Sequence, residues 1–372
     1  MARVKLGDVA REYKSTIKDT ADLPIVGLEH LTPGEITLER WDVGIENTFT
    51  KGFKKGHMLF GRRRAYLKKA ALAPFDGVCS GDITVIEAIP GKINPELLPF
   101  IIQNDLLFDY AVGTSAGSLS PRVKWESLKG YEFELPELAE QDGLVELLKA
   151  AHRTKKAYQK QITATDELVK SQFIEMFGSI TETISLDECC SIHARIGWQA
   201  LKQDEHQSTG DYMLITGTDF VNGRVNYDTC VYVSKERYDM DPKIQLQNGD
   251  ILITKDGTIG KVAIVEDLPM PATLNAGVFV VRPDGRFNVD FFSYLFKGPV
   301  FEEFVEVAKS GSTIKHLNQG KLKKYPIPMA QPEMQKVFAA LYKQSDKSKF
   351  ELQEAIVRID NFIKSLIQQD DN

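Results

Sequence analysis

A run of positive side chains between Lys51 and Lys69 is the clearest candidate for binding chemistry in this sequence. Eight of its 19 residues are lysine or arginine and none is acidic, in a chain with 46 basic residues, 52 acidic residues and a net charge of -6. A local patch of this kind can bind phosphates, and arginine can also contact guanine edges. A solvated basic loop would explain the same composition. The contact residues that we predict are Lys54, Lys55, Arg62, Arg63, Arg64, Tyr66, Lys68 and Lys69.

Three other segments extend this candidate nucleic-acid surface. The segment 115–124 adds Arg122 and Lys124, and exposed turn residues are the alternative explanation there. In the second half of the chain, the segment 254–261 is rich in glycine and hydroxyl groups, so we expect it to bind through backbone amides and side chains. The segment 310–324 adds positive charge at the position that matches 115–124. The predicted contacts in this half are Lys255, Thr258, Lys261, Lys315 and His316.

Catalytic motifs are missing from the sequence. There is no phosphate loop, no Gly-x-Gly-x-x-Gly after a strand, no His-Glu-x-x-His and no Asn/Asp-Pro-Pro-aromatic string. The six histidines are scattered, and the four cysteines have no Cys-x-x-Cys spacing, so we predict no metal site and reduced, buried thiols. A stand-alone nuclease or methyltransferase is therefore disfavoured.

The two halves of the chain repeat each other. Leu128, Tyr131 and Gln141 match residues 322, 325 and 335 at a constant offset of 194, and this register continues without a gap for some sixty residues. A unit of this length is too long for a solenoid repeat, so the sequence predicts two duplicated domains.

A long helix with an apolar heptad seam is predicted at the end of each half. The first seam extends over 144–176 and the second over 338–366, and we expect the two helices to pack as an antiparallel coiled coil. Lys155 and Lys349 occupy matching seam positions; either they fix the register or, as we favour, their ammonium groups reach into water. The predicted seam residues are Leu144, Leu148, Tyr158, Ile162, Val169, Tyr342, Leu352, Ile356 and Ile363.

The front part of each half has the pattern of a mixed α/β domain. Short helices are predicted over 95–110 and 289–307, and no apolar run has the length of about 18 residues that a membrane span requires. We therefore expect a cytoplasmic protein without membrane contact. Strands are predicted over 58–60, 83–89, 212–215, 250–254, 262–265 and 276–281.

These features together resemble the DNA specificity subunit of type I restriction-modification systems. The resemblance covers nearly the whole chain. It includes the string from Leu59 to Ala70, the Gly249–Ile253 segment followed by Gly257–Val262, and the Leu135–Gln141 segment that leads into the first helix. In the second half the corresponding proline is displaced to Pro332.

The resemblance implies an α+β fold in which two similar target recognition domains are separated by two long antiparallel helices with a pseudo-twofold internal repeat. The implied boundaries are 1–135 and 179–329 for the domains and 136–178 and 330–372 for the helices. Each domain would read one half of a split, asymmetric target in double-stranded DNA, and the helices would set the gap between the halves.

The resemblance also implies the partners of the chain. The helices would dock two methyltransferase subunits, and restriction subunits would complete a complex that defends against foreign DNA. The chain itself would be non-catalytic and would hold no cofactor, whereas S-adenosylmethionine, ATP and Mg would belong to the partner subunits. A different class of function is a duplicated scaffold whose basic loops bind acidic proteins rather than DNA.

Overall fold

The computed structural model describes residues 2–20, 22–196, 201–310 and 315–367. The chain divides into two compact units: unit 1 comprises Met1–Gln161 and Leu352–Asn372, and unit 2 comprises Ile162–Glu351. Each of the two long helices therefore contributes one segment to unit 1 and another to unit 2.

Unit 1 contains a four-stranded sheet in the order β2-β8-β5-β6, a three-stranded sheet in the order β3-β7-β4, and the antiparallel pair β1-β9. Its helices are α1 Leu6–Val9, α2 Leu98–Ile102, α3 Asp105–Gly113, α4 Trp125–Leu128 and the first part of α5 Leu138–Phe177. Its strands are β1 Ala2–Lys5, β2 Ala10–Glu12, β3 Ile25–Val26, β4 Lys51–Phe53, β5 Met58–Gly61, β6 Ala70–Leu72, β7 Gly77–Cys79, β8 Ile83–Ala88 and β9 Glu132–Leu135.

Unit 2 contains a larger sheet, β11-β19-β16-β17-β14-β13, a three-stranded sheet, β15-β12-β18, and the pairs β10-β22 and β20-β21. Its helices are α6 Lys235–Asp239, α7 Val289–Tyr294, α8 Pro299–Ala308, α9 Gln319–Leu322 and the first part of α10 Pro332–Ile367. Its strands are β10 Thr183–Ser185, β11 Cys190–Ala194, β12 Met213–Ile215, β13 Phe220–Val221, β14 Arg224–Val225, β15 Val231–Tyr232, β16 Ile251–Thr254, β17 Val262–Ile264, β18 Ala272–Leu274, β19 Val278–Pro283, β20 Lys309–Ser310, β21 His316–Leu317 and β22 Pro326–Pro328.

The central strand of each main sheet is buried on both faces. In β5, Met58 and Phe60 belong to one apolar core of unit 1, and Leu59 belongs to the other. In β16 of unit 2, Ile251 and Leu252 likewise face different cores. Because successive side chains of a strand point to opposite faces, a strand between two cores needs an uninterrupted apolar sequence. All six predicted strand segments are confirmed by strands at these places.

The two long helices are confirmed. Helix α5 has 40 residues and α10 has 36 residues, and α10 starts at the displaced Pro332. Proline is favoured in the first helical turn, because its missing N–H would have no intrahelical partner there. The predicted short helices are each split in two, with breaks after Ile102 and Tyr294. Residues 368–372 of the predicted second helix lie outside the described residues.

The seam positions lie on the protected face of the long helices, as the heptad pattern predicts. Every predicted seam residue is buried or half-buried. In unit 1, Leu144 of α5 packs into the same core as Leu366 of α10. In unit 2, the rings of Phe177 and Phe338 are 5.6 Å apart. Within each unit, contacts further along α5 are made with residues earlier in α10, as the ion pairs Lys155–Asp360 and Lys349–Asp166 show. The helix segments therefore run antiparallel within each unit.

The preferred interpretation of the seam lysines as reaching into water is wrong. Lys155 Nζ lies 2.6 Å from Asp360 in unit 1, and Lys349 Nζ lies 2.6 Å from Asp166 in unit 2. Both lysine side chains are only 20% exposed. The two pairs are equivalent at the repeat offset of 194, with the roles of α5 and α10 exchanged. A charged partner on the facing helix allows an ammonium group to remain near the seam.

Two matching glutamines fasten the start of each long helix to its own unit. Gln141 accepts a hydrogen bond from the backbone N–H of Asn94 at 2.7 Å and donates one to the Pro136 carbonyl at 2.9 Å. Gln335 makes the same two bonds in unit 2, with Asn288 and Ala330, at 2.9 and 2.8 Å. Both side chains are buried away from water, so their amide groups depend on these hydrogen bonds within the protein.

The four cysteines are buried and unbonded, as predicted. In the segments that the structure describes, no group of three or more His, Cys, Asp or Glu side chains could hold a metal ion. Across the same segments, every helix is too short or too polar to cross a lipid bilayer.

Candidate nucleic-acid interface

The loop between β5 and β6 joins the two predicted basic segments of unit 1. It leaves the sheet after Gly61 and returns at Ala70. The backbone carbonyl of Arg62 accepts a hydrogen bond from Val123 at 3.0 Å, and the N–H of Arg64 donates to Pro121 at 2.8 Å. The segments 51–69 and 115–124 are therefore adjacent in space, although more than fifty residues separate the bonded positions.

Asp82 holds two of the predicted contact residues in place. Its carboxylate lies 2.7 Å from Arg122 Nε and 3.4 Å from Arg63 Nη1, and Arg63 Nη2 also donates to the Ser120 hydroxyl at 3.2 Å. The hydrogen bond and charge of Arg122, followed by those of Arg63, hold the pKa of Asp82 below its ordinary value. We call Asp82, Arg63, Arg122 and Ser120 the Asp82 cluster. It positions both guanidinium groups and neutralises part of their charge.

Three of the predicted lysines are also paired within unit 1. Lys54 lies 2.8 Å from Asp76, which raises the pKa of this lysine by hydrogen bonding and charge. Lys68 lies 2.6 Å from Asp105, and Lys69 donates to a backbone carbonyl at 2.7 Å. The basic run is therefore less cationic at its surface than its composition indicates.

Four cationic side chains of this region make no hydrogen bond or ion pair among the described residues: Lys55, Arg62, Arg64 and Lys124. Arg62 is half-buried, whereas the other three are exposed. Tyr66 is 54% exposed on the short 3-10 turn that follows Arg64. Arginine, lysine and an exposed aromatic ring are suited to phosphate and base contacts.

The loop between β16 and β17 occupies the equivalent place in unit 2. The Lys255 carbonyl accepts a hydrogen bond from Leu317 at 2.9 Å, as Arg62 does from Val123 in unit 1. The Lys255 ammonium lies 5.5 Å from the centre of the Phe279 ring. His316 matches Arg122 and is paired with Asp256 through Nδ1. The two predicted segments of this half therefore also meet; residues 311–314 lie outside the described residues.

Most backbone amides of the unit 2 loop are used inside the protein. Those of Lys255, Gly260 and Lys261 donate to acceptors within the same unit. The Lys261 ammonium lies 3.4 Å from the carbonyls of Gly217 and Phe220. Thr258 and Lys315 are exposed, and their side chains make no hydrogen bond or ion pair among the described residues. The predicted binding by backbone amides is thus restricted to the tip of the loop.

The sequence alone does not identify the carboxylates that hold these loops, Asp82 and Asp256. Asp82 is 40 residues from Arg122, and Asp256 is 60 residues from His316. The repeat gives one signal, because Arg122 aligns with His316 and both side chains can pair with a carboxylate. No local sequence pattern identifies the acidic residue with which each of them pairs.

Comparison with known proteins agrees with this architecture. Residues 181–358 match the family model for the type I restriction modification DNA specificity domain. A segment of 165 residues, 42% of this chain, is 25% identical to the type I restriction enzyme EcoDI specificity subunit of Escherichia coli. That segment spans 36% of the relative's length.

Two solved structures are similar over nearly the whole chain. The S subunit of a type I restriction-modification system from M. genitalium is similar over 99% of this chain and 96% of its own, with a TM-score of 0.57 and 15% identity. A chain from a study of complex assembly and conformational transition in a type I R-M system covers 98% of this chain and 96% of its own, with a TM-score of 0.51 and 19% identity.

These structural similarities confirm the predicted α+β fold class with its long helices. The likeness to the specificity family is thus located at residues 181–358, which match its DNA specificity domain. Over nearly its whole length, the chain has the fold of the S subunit of a type I restriction-modification system.

Proposed function

We propose that this chain reads a split, asymmetric sequence in double-stranded DNA, one half-site with each unit. The observation that carries the proposal is the pair of equivalent loop contacts, Arg62 with Val123 and Lys255 with Leu317. The same backbone arrangement presents different side chains in the two units. Because base recognition depends on side chains, two such loops would prefer different half-sites.

Recognition, rather than catalysis, is the role that the family comparison supports. The contribution of this chain is to hold DNA by its cationic and hydroxyl side chains. Methylation with S-adenosylmethionine and ATP- and Mg-dependent cleavage would be supplied by partner subunits. The cytoplasm, where such partners and their DNA substrate meet, is the proposed location.

The long helices are the proposed docking surface for methyltransferase and restriction subunits. Each unit exposes large apolar side chains outside the seam, including Phe362 in unit 1 and its repeat equivalent Leu168 in unit 2, which are 46% and 51% exposed. Leu168→Glu and Phe362→Glu should weaken co-purification with the methyltransferase subunit. Glu354→Gln changes an exposed polar residue of α10, the helix that contains Phe362, and serves as a control. Unchanged co-purification of both apolar variants would contradict docking at these positions.

The deciding experiment measures duplex binding by the full chain together with its methyltransferase subunit. A randomised duplex pool, selected by binding and sequenced, should yield two different half-sites with a fixed gap. The affinity should also fall steeply between about 50 and 200 mM salt, as release of counterions from phosphates requires. Binding without sequence preference would contradict the proposal.

The gap between half-sites is the second readout of the selection. Each long helix contributes to both units, so we propose that helix length determines the gap. Inserting one heptad into each helix, which preserves the seam pattern, should change the selected gap and leave the half-site sequences unchanged. An unchanged gap would show that the helices do not determine it.

An adaptor that binds acidic proteins remains the second candidate function. It is supported by the exposed Lys55, Arg64 and Lys124, whose cationic groups can bind carboxylates as well as phosphates. A shallow salt dependence of duplex binding, together with capture of an acidic protein, would support it.

A further inference from the structure

Two loop residues of unit 1 have a backbone conformation that side chains disfavour. Arg64 has φ 54° and ψ 58°, and Lys68 has φ 50° and ψ 43°. These residues flank the 3-10 turn Ala65–Leu67. The left-handed region is crowded for every residue with a Cβ atom, so glycine is the residue that it favours.

The repeat shows that this conformation belongs to the fold. Gly61 donates to the Lys69 carbonyl at 2.8 Å, and the equivalent bond in unit 2 joins Thr254 and Lys261 at 2.9 Å. These two bonds align the loops. Three residues after the end of the strand, unit 1 has Arg64 and unit 2 has Gly257. Immediately before the bonded lysine, Lys69 or Lys261, unit 1 has Lys68 and unit 2 has Gly260.

Both glycines adopt the same left-handed conformation, with φ 68° at Gly257 and φ 86° at Gly260. No atom lies within 4 Å of the place that a Cβ would take at Gly257. The backbone angle, and not a lack of space, therefore favours glycine there. Unit 1 retains the angle but carries arginine and lysine.

The two exceptions differ in what their side chains do. Lys68 lies 2.6 Å from Asp105, whose pKa is lowered by Lys364 and Lys68 together, so this lysine contributes to the fold. Arg64 is exposed, and its guanidinium makes no hydrogen bond or ion pair among the described residues. Its backbone N–H is bonded to Pro121, which fixes where the side chain begins. Backbone hydrogen bonds hold this strained conformation, but no side-chain contact among the described residues makes use of it, which favours a contact of the guanidinium with something outside the chain.

We propose that Arg64 is a specificity-determining residue of unit 1 and that its guanidinium contacts a guanine edge in the first half-site. The inference rests on the proposed function and assigns one recognition contact to one side chain. A planar guanidinium with a fixed starting point is suited to two parallel hydrogen bonds with a guanine base. The exposed Lys55 and Lys124 could neutralise phosphates without any backbone strain.

The test combines stability and binding in the variant Arg64→Gly, which installs the residue that the repeat has at this place. Because the left-handed angle is relaxed, the midpoint of thermal unfolding should stay the same or rise. The affinity of the full chain for the duplex selected by the wild type should fall about 5- to 150-fold, the range expected for one bidentate base contact. One G·C position of one half-site should lose its preference, and the other half-site should remain unchanged.

Two further variants separate the possible causes. Arg64→Lys retains the positive charge but not the planar fork, so it should lose the guanine preference while keeping part of the affinity. Asn222→Gly relaxes another left-handed residue, φ 52°, in a turn of unit 2 and should change neither affinity nor selected sequence. Full preference and affinity in Arg64→Lys would reduce the contact to a phosphate and overturn the inference.

The failures of the two proposals are distinguishable in the same selection. If the wild-type chain enriches no sequence, the proposed function fails and the role of Arg64 fails with it. If the wild type enriches a split sequence and Arg64→Gly enriches the same sequence with equal affinity, only the inference about Arg64 fails. A fall in the unfolding midpoint of Arg64→Gly would show that this arginine stabilises the fold instead.

Discussion

Removing the ion pair between Lys155 and Asp360 tests whether charged seam positions stabilise the packing of the long helices. The two atoms lie 2.6 Å apart, and the side chains are 20% and 39% exposed. Exposed pairs contribute about 0.2–1 kcal/mol, whereas breaking a buried pair costs about 3–5 kcal/mol. A half-buried pair lies between these limits, so we expect a coupling energy of about 1–2 kcal/mol.

The equivalent pair in unit 2 supplies an internal comparison. Lys349 and Asp166 are also 2.6 Å apart, but Asp166 is 57% exposed. Water screens this pair more strongly, so its coupling energy should be smaller, about 0.5–1 kcal/mol. High salt should decrease both values.

The assay is a double-mutant cycle in each unit, with urea unfolding followed by circular dichroism. The substitutions Lys155→Met and Asp360→Asn, singly and together, remove the charges while retaining most of the side-chain volume. Lys349→Met and Asp166→Asn form the second cycle. A coupling energy of zero in both cycles, or a larger value in unit 2, would refute the reasoning from burial.

Three further predictions concern single sites. Gln141→Leu and Gln335→Leu should each lower the free energy of unfolding by about 1–3 kcal/mol, measured in urea, because each leaves a buried backbone group without its partner; stability unchanged in both would contradict their role as helix fasteners. Phe338→Ala should cost about 3–5 kcal/mol in the same assay, because its fully buried ring contacts a cluster of aromatic side chains; a cost below that of Gln335→Leu would be inconsistent with this packing. Asp82→Asn should destabilise the chain above about pH 4, and the difference from wild type should shrink as pH falls, because Arg122 lowers the folded-state pKa of this carboxyl and its protonation removes the stabilisation; a difference that grows in acid would exclude this linkage.

The prediction of the long helices from sequence succeeded because their pattern is local. Heptad spacing identified the protected face, and the absence of proline and of further glycine over most of each helix indicated its length. The six strand segments were also visible, since a strand between two cores leaves an apolar run. The matched Gln141 and Gln335 indicated equivalence, although their hydrogen bonds to Asn94 and Asn288 required the folded chain.

The amino-acid sequence thus determined the duplication, the two helices, the main strands and the resemblance to a DNA specificity subunit. The tertiary structure decided which cations are available at the surface. Asp82 and Asp105 engage Arg122 and Lys68, whereas the Arg64 guanidinium has no hydrogen bond or ion pair among the described residues. The tertiary structure likewise decided the partner of Lys155, which forms an ion pair with Asp360 across the seam. Charge composition and periodicity are properties of neighbouring residues, whereas an ion pair depends on which distant segments the fold brings within about 4 Å.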